Sequence, residues 1–139
     1  MNTPRKLPVG IQNFEKLRKD GYIYIDKTAF VWNLVQGSNP YFLSRPRRFG
    51  KSLFLSTLAA YFLGQKELFK GLYVEQAEEA QAAQESRTAW ETYPLFYLDF
   101  NTENYNDSQS MHSILHTHLN RWEKQYGADN AEQTFSSRF

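Results

Sequence analysis

Residues 52–63, SLFLSTLAAYFL, combine high helix propensity with apolar side chains nearly all the way round. A helix of that kind has no face to give to water and is expected to be packed on several sides. Gly64 stands at the position that ends it. Immediately before the helix lies a basic turn, Arg45-Pro46-Arg47-Arg48-Phe49-Gly50-Lys51-Ser52. Before that comes Tyr41-Phe42-Leu43, a short continuous apolar run of the sort found in strands buried on both faces. Residues 41–63 therefore read as strand, basic glycine-containing turn and helix.

The flanking segments extend this reading. Asn13 to Lys19 suits about two helical turns ended by Asp20-Gly21. Tyr22-Ile23-Tyr24-Ile25 is β-prone, as an edge strand or an extended approach. Asp26 stands where an N-cap belongs, and Phe30, Val31, Leu34 and Val35 recur at helical spacing up to Gly37. Leu68 to Tyr73 reads as a short helix or turn, and the Ala-, Gln- and Glu-rich stretch from Glu75 to Thr88 as an exposed helix. Leu95-Phe96-Tyr97-Leu98-Asp99-Phe100 reads as a second buried strand ending in a carboxylate. After a polar loop at 101–107, Met111, Ile114, Leu115, Leu119, Trp122 and Tyr126 share one face of the longest helix, 108–126, and a polar tail follows. The expected fold class is α/β, strands flanked by helices in one domain. Residues 1–37 form its N-terminal arm and helix, and 38–139 the strand-helix unit, second strand and long helix.

The chemistry concentrates in the turn. A triphosphate needs several backbone N–H groups converging from a turn and a helix N-terminus, where four donors lack intrahelical partners and the helix dipole is positive. Gly50 lets the backbone approach, Lys51 reaches the β and γ phosphates, and the Ser52 hydroxyl ligates Mg²⁺. The cradle so read comprises Arg47, Arg48, Phe49, Gly50, Lys51, Ser52 and Leu53. It departs from G-x-x-x-x-G-K-[ST] at the first position, where Arg45 replaces glycine, and Pro46 removes a donor. That departure puts the usual turn geometry in question, because a non-glycine residue resists positive φ.

Charge and composition narrow the alternatives. The chain has 16 Lys and Arg against 15 Asp and Glu, a net charge of +1, so its basic character is local to Arg45, Arg47, Arg48 and Lys51. A nucleic-acid or partner-binding module that uses Arg45 to Lys51 as a basic patch is the rival reading. There is no cysteine, which removes disulfides, zinc–thiolate sites and thiol nucleophiles and fits a reducing compartment. No stretch approaches the roughly 18 apolar residues of a membrane span, so a cytoplasmic location is expected. His112 and His116 stand at i, i+4 but lack a third ligand in the pattern, and read as a solvated edge.

Three segments together, Tyr24-Ile25-Asp26-Lys27-Thr28, Tyr41 through Leu53, and Tyr93 through Phe100, resemble the bacterial AAA-ATPase-like family. The likeness runs from Leu7 onward and extends to the arginine-rich, Walker A-like loop. It implies the N-terminal portion of a phosphate-loop NTPase domain, parallel strands flanked by helices and incomplete in itself, with ATP and Mg²⁺ as ligands, and a nuclease-like domain, with nucleic acid as its partner, following in longer members. It also makes Asp26, Lys27 and Thr28 candidates for the nucleotide pocket, although Asp26 as a helix cap and Lys27 as an exposed first-turn residue account for two of them. Asp99 is a candidate magnesium carboxylate, but Phe100 follows it where a water-orienting Glu would stand. ATP binding is thus expected of this chain, and hydrolysis is expected to need further segments.

Overall fold

The computed structural model describes residues 5–100 and 108–127; the expected polar loop at 101–107 and the tail at 128–139 lie outside them. The chain divides into two compact units, Met1–Leu95 and Phe96–Phe139.

The first unit is helical. α1 (Phe14–Lys19) opens at Asn13, whose side chain accepts the Lys16 N–H at 2.8 Å, as an N-cap should. α2 (Thr28–Val35) and α3 (Lys51–Phe62) follow, then a 3-10 turn (Lys66–Phe69) and α4 (Tyr73–Glu85). α1 packs on α3 and α2 on α4. Phe14, Ala60, Leu68, Phe69, Leu72 and Val74 make the core. The Phe14 ring lies 5.2 Å from Tyr24 and 5.0 Å from Phe69, and Phe69 lies 5.2 Å from Trp90. Arg18 ties α1 to the 3-10 turn through Leu68 O and Lys70 O, each at 2.7 Å. Past the end of α3, Tyr93 N donates to Phe62 O at 2.8 Å, giving a terminal carbonyl its partner. Gly64 (φ +65°) permits that close crossing, since a Cβ there would meet Trp90 O at 2.9 Å.

In the second unit α5 (Ser108–Tyr126) buries Ile114, His118, Leu119 and Trp122. Phe96 packs edge-on against Trp122 and Tyr126, with centroids at 5.0 and 5.6 Å. Among the described residues no helix is long and apolar enough to cross a membrane.

The expected α/β architecture is overturned: the described residues contain helices and no strand. Tyr41-Phe42-Leu43 and Leu95 to Phe100 lie outside any helix but join no ladder. An apolar run becomes a strand only where a neighbour exchanges backbone hydrogen bonds with it, and composition cannot supply that neighbour. Phe42 is accordingly 93% exposed rather than buried. The several-sided packing expected of α3 is also only partial, for Thr57 and Ala60 are buried while Leu55 stays exposed. Tyr22 to Ile25 is the extended approach of the two alternatives, joined to the N-terminal arm by Ile23 N to Lys6 O at 3.0 Å.

Candidate functional site

The loop before α3 is exposed from Tyr41 to Gly50. Arg48 has φ +64° and Gly50 φ +77°, while Arg47, Phe49 and Lys51 between and beside them do not enter the positive range. Alternation of this kind turns successive N–H groups toward one side and makes an anion-binding concavity. Arg45 is not among the positive-φ residues, so the arginine in place of the first glycine carries no left-handed strain. Its side chain instead crosses the turn, Nη1 donating to Phe49 O at 3.5 Å.

Gly50 caps α3 with no side-chain bond, and the helical ladder begins with Phe54 N to Gly50 O at 2.9 Å. Among the described residues, the N–H groups of Lys51, Ser52 and Leu53 therefore have no protein acceptor, and the positive helix end faces the turn. Lys51 Nζ donates to Arg45 O and, at 3.1 Å, to Pro46 O. Arg45, Arg47, Arg48 and Lys51 form no ion pair with a carboxylate among the described residues. Ser52 is exposed at the second position of the helix, where its hydroxyl can serve a cation held against the bound anion. Arg47 to Leu53 thus hold exposed cations and the unbonded N–H groups of the start of α3.

Asp26, Lys27 and Thr28 sit at the start of α2, and their hydrogen bonds run elsewhere. Asp26 Oδ1 accepts from Thr28 N at 2.8 Å and Thr28 Oγ1 at 2.7 Å, and Oδ2 accepts from Tyr73 N at 2.7 Å. Val74 N donates to the wholly buried Thr28 Oγ1 at 3.1 Å. Asp26 and Thr28 so clamp the first turn of α2 to the first turn of α4. Burial pushes the Asp26 carboxyl up, but the bonds from Thr28 and Tyr73 outweigh it and hold the group below its ordinary value. Lys27 is exposed. Asp99 is half-buried in the second unit. There, burial first and the Asp99 charge second raise the Tyr97 phenol. His112 and His116 are exposed on α5, and the described residues hold no group of three metal-ligating side chains.

Sequence reasoning missed a polar network around Glu78, in the helix expected to be exposed. Glu78 is 2% exposed. It accepts from Tyr61 Oη at 2.7 Å, Arg87 Nη1 at 2.7 Å and Trp90 N at 3.1 Å. Burial pushes its carboxyl up, yet the bonds from Arg87, Tyr61 and Trp90 bring it below the ordinary glutamate value. The Tyr61 phenol is raised, by burial and by its bond to Glu78. A cavity of about 350 Å³ adjoins the network, walled by Phe62, Trp90 and Tyr93 among others. The signal was the i, i+4 spacing of Val74, Glu78 and Ala82, which puts all three on the buried side of α4.

A family model described as predicted AAA-ATPase matches residues 8–139, and the chain belongs to this AAA-ATPase-like family. Half of it is also similar to a curated protein of Azotobacter chroococcum mcd 1, described as an uncharacterized protein in the vnfD 5' region. The two are 59% identical over 71 residues, 50% of this chain and 14% of the relative. No solved structure matches the chain.

Proposed function

We propose that the loop and helix start from Arg47 to Leu53 bind the phosphates of ATP, with Mg²⁺ held against the Ser52 hydroxyl. The observation that carries this reading is the alternation of φ sign through Arg48 and Gly50 at the uncapped N-terminus of α3. Backbone N–H groups at the start of α3 have no protein acceptor among the described residues, and four cations without an ion pair lie within seven residues. Oxyanions are the ligand class that such donors satisfy. The family's description as a predicted AAA-ATPase supports ATP among them. The proposal is of binding. Residues that orient water for hydrolysis are assigned to no position of this chain.

Titration of labelled ATP, with and without Mg²⁺, tests the reading. Lys51→Ala should weaken binding by about 10- to 100-fold, the worth of a charge-assisted contact, while Arg47→Ala should retain the magnesium dependence. Single- and double-stranded DNA are titrated in parallel at two salt concentrations. DNA binding that needs all four cations and falls steeply with salt, with no response to ATP, would replace the nucleotide reading by a phosphate-backbone patch.

A further inference from the structure

The cavity beside Glu78 lies at the other end of α3 from the basic loop. Lys51 and Phe62 are the first and last residues of that helix, about 16 Å apart along its axis, and Phe62 is in the cavity wall. A volume of about 350 Å³ suits a small organic ligand. Part of the lining is aromatic. Trp90 and Tyr61 have ring centroids 5.7 Å apart, Tyr61 and Phe62 5.5 Å, and Phe62 and Tyr93 6.0 Å, a continuous run of rings. The rest is mainly acidic, with Glu78, Glu85 and Glu91 against the single guanidinium of Arg87.

The charged and hydroxyl donors of this lining are already engaged. Arg87 divides its guanidinium among Glu78, Glu85 and Thr88 O. Tyr61 Oη donates to Glu78 at 2.7 Å and Tyr93 Oη to Glu91 at 2.8 Å. The indole nitrogen of Trp90 is buried, so that side chain offers the cavity carbon rather than a donor. Acceptors are in surplus. Glu78 is filled by Tyr61 Oη, both terminal nitrogens of Arg87 and Trp90 N. Glu85 accepts from Gln81 and Arg87, and Glu91 from Tyr93, where a carboxylate has room for about four bonds. Glu91 has no ion pair among the described residues. These two carboxylates with capacity left are exposed, whereas Glu78 is buried. An anion would meet excess negative charge here, and a neutral apolar body would leave the carboxylates to water. An apolar body with a cationic head satisfies both parts of the lining.

We propose that this cavity binds a small organic cation, its apolar body against Tyr61, Phe62 and Trp90 and its ammonium head held toward Glu85 and Glu91. The head stays partly hydrated at the exposed carboxylates while the body leaves water. The site is separate from the phosphate loop, and either reading can fail alone.

Phenethylammonium, phenethyl alcohol and hydrocinnamate place a positive, a neutral and a negative head on one kind of apolar body. Each is titrated into the full chain at neutral pH and followed by ¹H–¹⁵N spectra. Saturable shifts are expected at the Trp90 indole and at the amides of Phe62 and Tyr93, with those of Phe49 to Leu53 in place. Phenethylammonium should bind about 5- to 10-fold more tightly than the alcohol, the worth of two exposed charge contacts, and hydrocinnamate most weakly. Glu91→Gln should weaken the cation by about 2- to 5-fold and leave the alcohol unchanged, with unaltered amide spectra over α1 and α2 as the check on folding. Shifts absent at Trp90, Phe62 and Tyr93 would remove the site. Equal affinity for the cation and the alcohol, or tighter binding of hydrocinnamate, would overturn the cationic class in the wild-type chain alone. A Glu91→Gln chain that holds phenethylammonium as tightly as wild type would overturn the placing of its head.

Discussion

Gly50 and Arg48 hold the same sign of φ at very different intrinsic cost. Glycine enters the left-handed region freely, whereas a residue with a Cβ pays roughly 1–2 kcal/mol there. An alanine Cβ at Gly50 would meet no atom within 4 Å, so Gly50→Ala should act through backbone strain alone. We expect it to lower stability by about 1 kcal/mol in urea denaturation and to weaken ATP binding. Arg48→Gly relieves strain of the same kind while loosening the unfolded chain, and should leave stability within about 0.5 kcal/mol of wild type. At this scale the sequence was half legible. The Gly50-Lys51-Ser52 tripeptide announced the donors that begin α3. The left-handed Arg48 carried no mark, because nothing in a side chain that tolerates many conformations shows which one the loop will impose. Arg45, in the place of the first glycine, does not take a positive φ.

Among the elements, the helices were legible, whereas the strands expected from apolar runs do not form among the described residues. Helices are closed by local hydrogen bonds, so a cap such as Asn13 and the spacing of Val31, Leu34 and Val35 reveal them, although the N-cap of α2 is Lys27 rather than the expected Asp26. A strand is completed by a remote neighbour, and the run from Tyr41 to Leu43 looks the same in sequence with or without one. Two carboxylates join the elements that did form. Asp26→Ala removes both the acceptor of Thr28 N at the start of α2 and the tie to Tyr73 N of α4. Thermal or urea unfolding should register a loss of about 1–2 kcal/mol. Glu78→Gln leaves Arg87 without its buried charge partner and should cost about 2–4 kcal/mol at neutral pH. Because both carboxyls titrate below their ordinary values in the folded chain, their contribution is complete above the unfolded values near 4 and is lost as pH falls through the lowered ones. Stability should therefore decline on acidification, and the decline should be shallower in Glu78→Gln when both proteins are followed by urea midpoints across that range.

For the whole molecule, a net charge of +1 gives little general attraction for polyanions, and any anion site must come from local arrangement. The arrangement proposed for one is the uncapped start of α3, Lys51 to Leu53, together with four cations free of ion pairs among the described residues. It needs no sheet to be stated: the turn, the uncapped helix end and Lys51 are all local to residues 45–53. The chain belongs to the AAA-ATPase-like family across residues 8–139. Amide ¹H–¹⁵N shift mapping during a Mg²⁺-ATP titration tests this most directly. The largest, saturable shifts are expected at Phe49, Gly50, Lys51, Ser52 and Leu53, lost in Lys51→Ala. Amides there that stay unmoved at saturating nucleotide, or shifts confined to another part of the chain, would contradict it.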